Sequence, residues 1–213
     1  YSINAEILTW YGKKPSNNVQ SLARKKRYEL LINKSDQLKI NNILLGHHSD
    51  DLLENFFIRI LRGSGLKGLV SFDKKSEIEE KNLLRPLLDQ NKDDLLFISK
   101  YVFNFFVEDP SNIDEKYQRT QIRELIKQLQ KKGLDKEKFS KTINNLKSSN
   151  EVVDFYVDEN FKKNTFFSSS RNKLVLNKTF FQQPYEIIFR GLSKSIRFVG
   201  GRYYSVRGKK LDK

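Results

Sequence analysis

The two histidines of this chain stand side by side and are followed by three carboxylates, in the run Gly46, His47, His48, Ser49, Asp50, Asp51, Leu52, Leu53, Glu54. On a helix starting near Ser49, Asp50 and Glu54 are four residues apart and Asp51 and Glu54 three. These acids can therefore share a face near the helix amino end. Such a face can hold a cation; a magnesium ion bridging substrate phosphates is one candidate and the ammonium of a lysine is another. An architectural explanation competes with this one, because Asp51 to Glu54 also fits a capping box and acids are favoured by the helix dipole at that end. Two adjacent histidines at the end of a buried strand favour the chemical explanation. Metal-assisted hydrolysis of the His-Asp phosphohydrolase type is the rival chemistry, but it needs further histidine ligands and the sequence has none.

An alternation of short strands and helices must position this run. Residues 5–10 read as a strand and residues 12–18, with Pro15, as a loop. Val19, Leu22, Ala23, Leu30 and Leu31 recur at helical spacing, which predicts a helix from residue 19 to about 38. Residues 43–45 form a short apolar run ending at Gly46, and residues 50–61 are helical again. The order strand, helix, strand, helix predicts an α/β fold, with a partial parallel sheet and flanking helices. Ligands in such sheets sit beyond the carboxyl ends of the strands, so residues 46–51 fall at the expected edge of a site.

Farther along, Pro86 makes residues 83–88 (LLRPLL) an extended or turn segment. An aromatic-rich helix is expected over 93–106, a loop over 109–112, and a helix from Ile113 to Gly133. A domain boundary near Gly133 separates residues 1–132 from a small, mainly helical domain over 133–213. Within that second part a helix is expected to about residue 160, then a serine-rich turn at 168–170, a β-like piece at 173–176 and a last helix around 182–198. There is no internal repeat.

A 38% hydrophobic fraction with 12% aromatics is enough to build a core in 213 residues. No stretch approaches the roughly 20 apolar residues that span a bilayer, and no secretory leader is recognisable, so a cytoplasmic protein without a membrane partner is expected. Cysteine is absent, which excludes disulfides, thiolate metal sites and cysteine nucleophiles. Methionine is absent too and the sequence starts at Tyr1, from which a preceding segment is expected. The formal net charge of +14 points to a polyanionic partner such as nucleic acid, against the plainer account of a lysine- and asparagine-rich composition. The surplus is concentrated late: from Arg171 onward there are eleven Lys or Arg and only Glu186 and Asp212 as acids.

The run GHHSDDLLENFFIRILRGSGLKGL, residues 46–69, resembles the signature of the tRNA(Ile)-lysidine synthases, members of the N-type ATP pyrophosphatase superfamily with its PP-loop. RKKRY at 24–28 resembles the basic helix that precedes this signature in the family, and RPLL at 85–88 the turn that follows it. EDPSN at 108–112, with Arg119 and Arg123, resembles a later segment. Four blocks in the same order are more specific than any one of them. The sister family that thiolates tRNA cytidine shares the GHHxDDxxE block, but it uses cysteine thiolates, which are lacking here.

The resemblance implies an adenine nucleotide alpha hydrolase-like fold, followed by a small tRNA-contacting helical domain. It also implies a two-step ligation, in which ATP with Mg2+ adenylates the oxygen on carbon 2 of the wobble cytidine in the CAU anticodon of tRNA(Ile), releasing pyrophosphate. The amine of L-lysine then displaces AMP to give lysidine. By position in the motifs, Arg27, His47, Asp50, Glu54 and Arg119 are expected in the ATP and lysine pocket, with His47, Asp51 and Glu54 as catalytic candidates. Arg62, Lys67, Arg123, Arg197, Arg202 and Arg207 are candidate tRNA phosphate contacts, with solvated surface charge as the plain alternative for each. No metal ligand is assigned, and a homodimer is an allowed assembly.

One departure from the family stands out: its glycine-rich loop, a Ser-Gly-Gly-x-Asp-Ser turn, occurs nowhere in these residues. Glycine amides of that loop cradle pyrophosphate. The chain alone is accordingly expected to be inactive, with residues 43–45 short of strand partners. A catalytically incomplete tRNA-binding module and a cytidine thiolation enzyme are the alternatives.

Overall fold

The helical spacing from Val19 onward is realised as α1 (Val19–Gln37) in a computed structural model, which describes residues 3–12, 19–107, 118–171 and 173–200. Tyr28 and Ile32 lie one turn apart on its buried face and pack on Ile43 and Leu83. The helix stops where Lys39 takes a left-handed φ of 55°. There the amide of Ile40 donates to the Ser35 carbonyl at 2.8 Å and that of Lys39 to Asp36 at 3.0 Å. This is a Schellman stop built without glycine.

β1 (Asn42–Leu44) follows at once and pairs in parallel with β3 (Lys81–Leu84), Ile43 opposite Leu83. The amide of Leu45 extends the ladder to the Leu84 carbonyl at 2.8 Å. The apolar run at 43–45 therefore has a strand partner, contrary to the expectation that it would lack one. β2 (Lys75–Ile78) lies antiparallel to β3, giving the order β1-β3-β2 and a mixed sheet where a parallel one was expected. The reason is a tight hairpin whose two connecting residues, Glu79 and Glu80, both have positive φ, 46° and 65°. That is the backbone of a mirror-image turn, which usually advertises itself as Asn-Gly; a Glu-Glu pair gives no such signal.

Residues 5–10 were expected as a strand and carry no regular structure, with Ile7 91% exposed. Among the described residues no strand lies alongside them, and a strand exists only through its ladder. α2 (Ser49–Leu61) follows the end of β1 after four intervening residues and stops at Gly63, φ 66°. α3 (Leu66–Leu69) is a single turn. The helix expected over 93–106 is shorter: α4 (Lys92–Ile98) runs into a π-helical turn over Ser99–Phe103 and ends at Asn104, φ 59°.

α5 (Gln118–Lys131) turns at Gly133, whose φ of 100° favours glycine, into α6 (Lys136–Asn164). Asp135 caps α6, its carboxylate accepting from the amides of Glu137 and Lys138 at 2.7 and 3.4 Å. β4 (Thr165–Ser168) and β5 (Lys173–Leu176) form an antiparallel hairpin, and α7 (Tyr185–Gly200) closes the described chain.

The described residues divide into two units, one from 1–52 with 72–107 and one from 53–71 with 108–213. The sheet and α1 belong to the first. In the second, Leu53 and Ile58 pack on Ile122 and Ile126, with Phe57, Leu134 and Phe139 around them. Each such buried side chain stabilises by about 2 kcal/mol. Also in the second unit, Phe180 is fully buried and its ring occupies the space a Cβ would need at Gly191. Beside it Arg190, 6% exposed, binds Glu186 on its own helix and both Asn150 and Asp154 on α6, at 2.7, 2.7 and 3.0 Å.

Candidate functional site

The histidine pair occupies the link between the carboxyl end of β1 and the first turn of α2. The His48 amide donates to Asp51 Oδ2 at 3.0 Å, while the His48 carbonyl receives the Asp51 amide at 3.1 Å. Asp51 is thus the acid that closes the helix cap, and its Oδ2 also lies 3.5 Å from His48 Nε2. The capping box suggested by the sequence started at Asp51 and closed on Glu54; the observed side-chain cap is a half-box three residues earlier, from Asp51 back to the His48 amide, because α2 starts at Ser49. The start of α2 is pinned from outside by Ser49, whose amide donates to the Gln90 carbonyl at 3.1 Å and whose hydroxyl meets Asn91 Oδ1 at 3.4 Å. This ties the cap to the turn that follows RPLL. Asp50 is half-buried, and half-buried His47 sets its ring against that of Phe72, 5.2 Å between centroids at 79°.

Glu54 belongs to the second unit and is buried there. Its Oε1 accepts from Arg123 Nε at 2.5 Å, and its side chain is only 6% exposed. The other oxygen, Oε2, is buried without a hydrogen-bond partner among the described residues. A carboxylate with one oxygen held by a guanidinium and one left over can accept from an incoming ammonium or hydroxyl. Arg123, read from the sequence as an RNA contact, is the cation paired with this buried acid.

The remaining candidates are dispersed. Arg27 is exposed on α1 and, with Lys26, Leu30 and Trp10, lines a shallow cavity of about 240 Å³ that none of residues 46–54 lines. Arg119 is exposed in the first turn of α5. Arg62 is exposed and donates to Gln118 Oε1 at 3.3 Å; Lys67 lies 3.8 Å from Asp154 Oδ1. Arg197 is exposed in the last turn of α7. Arg202, Arg207 and the EDPSN block lie outside the described residues. Sequence reasoning passed over Arg85 as a site residue, although it is buried and lies over the ring of Phe72, the same ring that His47 meets. Its only signal was its place in the RPLL block.

Among the described residues no three His, Asp or Glu side chains gather as a metal site. For a nucleotide, Trp10 with Lys26 and Arg27 offers an aromatic ring beside two cations, but no glycine-rich loop of this sequence supplies phosphate amides. No described helix is long and apolar enough to cross a membrane.

The family model of the PP-loop domain matches residues 1–129, which include the strand end, the helix start and the buried acid. The chain belongs to the PP-loop domain family. This PP-loop chain is similar to the tRNA(Ile)-lysidine synthase of Orientia tsutsugamushi (strain Boryong), 42% identical over 122 residues, 57% of this chain and 27% of that protein. It is also similar to proteins of the same name from Wolbachia sp. subsp. Brugia malayi (strain TRS), 32% identical, and Wolbachia pipientis wMel, 31% identical. Each of these two alignments covers 201 residues, 94% of this chain and 47% of the relative. The chain thus spans half or less of the length of these relatives, and the similarity continues past the PP-loop domain into α6 and beyond.

Proposed function

We propose that this chain is part of a tRNA(Ile)-lysidine synthase, an ATP-dependent ligase that attaches L-lysine to carbon 2 of the wobble cytidine in tRNA(Ile) with a CAU anticodon. An adenylated tRNA is the intermediate. The observation that carries the proposal is the buried Glu54 carboxylate, one oxygen on Arg123 and the other open, within a chain that belongs to the PP-loop family. The names of the relatives support the same reading.

In this proposal Glu54 receives the lysine ammonium and His47 serves the nucleotide and amine steps at the strand end. Asp50 orients the cation, and Asp51 keeps the helix start in place. Arg27 and Arg119 contribute positive charge toward ATP phosphates, whose charge must be neutralised as pyrophosphate leaves; Mg2+ would arrive with the nucleotide. Arg62, Lys67, Arg197, Arg202 and Arg207 contact tRNA phosphates, the part after Gly133 serving as the RNA-binding domain. The setting is the cytoplasm, as a monomer or homodimer.

The test is incorporation of labelled lysine into CAU-anticodon tRNA(Ile) by the whole gene product, with Glu54→Ala expected to abolish it. Full activity of that variant would remove Glu54 from the site, and an inactive, folded wild-type protein would sink the proposal. A tRNA-binding module without catalysis is the second reading, which the surplus of Lys and Arg from Arg171 onward also fits. Salt-dependent tRNA binding with no lysine incorporation would select it.

A further inference from the structure

Phe72, 7% exposed, touches two polar side chains of the same unit. The Arg85 guanidinium lies over its ring, 4.7 Å from the centroid, and the His47 ring meets it at 5.2 Å, nearly perpendicular. Arg85 is itself immobile by construction. The residue is 4% exposed, and Nη1 donates to the Asp73 carbonyl at 2.7 Å and to Ser76 Oγ at 3.0 Å. These acceptors sit on the chain entering β2 and on β2, so the guanidinium is anchored to the sheet.

Among the described residues Arg85 makes no ion pair with a carboxylate. Burial pushes its pKa down, and the Tyr28 phenol on α1 acts in the opposite direction. A guanidinium keeps its proton even so. Carbonyl and hydroxyl dipoles, the charge of Asp73 and the electron-rich face of Phe72 stabilise that buried cation, and a desolvated cation–π contact is stronger than an exposed one. Turning the Phe72 ring away would strip the cation of one of these supports. The ring is held by Arg85, and the imidazole next to it is confined by the ring.

We propose that Arg85, acting through Phe72, is a positioning residue for His47, fixing its imidazole at the carboxyl end of β1. The functional meaning of this rests on the lysidine synthase reading above; the geometry does not.

Because the sequence contains only His47 and His48, imidazole NMR of the full 213-residue chain gives two resolvable rings, and His48 against Asp51 serves as the internal control. Phe72→Leu should abolish the His47–Phe72 ring NOE and displace the His47 ring resonances while those of His48 stay. Arg85→Ala should displace the His47 resonances and weaken the same NOE, with Arg85→Lys restoring part of both because a point cation remains over the ring. A folded Arg85→Ala protein with the NOE and the His47 shifts unchanged would overturn the proposal. Should Arg85→Ala not fold, Arg85→Lys decides, since an unperturbed His47 in that variant contradicts a role for the planar fork. In the whole gene product Arg85→Lys should lower kcat for lysine incorporation several-fold at unchanged KM for lysine. An active wild type with an unaffected Arg85→Lys variant refutes the functional half. A wild type that never incorporates lysine refutes the lysidine reading instead, and the NMR result then stands or falls alone.

Discussion

Arg123 Nε donates to Glu54 Oε1 at 2.5 Å and so joins α5 to α2 across 69 positions of sequence. The acid is nearly sealed from solvent and the arginine is a third exposed. Removing the cation leaves a buried carboxylate without a counter-charge, which costs more than the intact pair contributes. Arg123→Met is expected to lose about 2–3 kcal/mol, the low end for a buried pair because Arg123 keeps some water. The urea midpoint reads it, and the double variant with Glu54→Gln should recover part of the loss. A midpoint equal to wild type would show the pair to be idle.

Asp51 closes the cap of α2 through the His48 amide, so Asp51→Ala should cost about 1 kcal/mol and Asp51→Asn, which keeps an acceptor, much less. Thermal unfolding separates the two. If Asn is as damaging as Ala, the cap is not what Asp51 contributes.

The β2–β3 hairpin carries two glutamates at positive φ. Replacing Glu79-Glu80 by Asn-Gly supplies residues that accept this backbone and should stabilise the chain by about 1 kcal/mol. A lower denaturation midpoint in the variant would mean that the glutamate side chains do something the turn geometry does not reveal.

At Gly191 an added Cβ would lie 2.8 Å from Phe180 Cζ and 3.2 Å from its Cε2. Gly191→Ala is therefore expected to destabilise by about 1–3 kcal/mol through overpacking. Phe180→Leu in the same chain should relieve part of that, so the two changes will not add. Additivity in urea unfolding would place the strain elsewhere.

The helices were legible from the sequence because helical periodicity is local: α1, α2 and α6 follow the spacing of their apolar residues closely. Strand partners were not, since pairing is a long-range choice. Residues 43–45 proved to have one in β3, residues 5–10 have none among the described residues, and β2 went unnoticed behind its Glu-Glu turn. For the candidate site, residue types were readable but partners were not. GHHSDDLLE marked the strand end and helix start, yet nothing local could tell that Asp51 would serve the cap. Nor could it tell that Arg123 would meet Glu54, or that Arg85 would lie over the ring that His47 meets.

Arg190 has a consequence for how α7 can sit on α6. Its guanidinium reaches Asn150 and Asp154, one turn apart on the facing helix, while Glu186 grips it from its own. A slip of one turn, about 5.4 Å, would take Arg190 off one of its two acceptors on α6 and Lys194 off Asp158. Alignment of these two rods is thus set by two cationic pegs on one helix, Arg190 and Lys194, seated in sockets spaced a turn apart on the other.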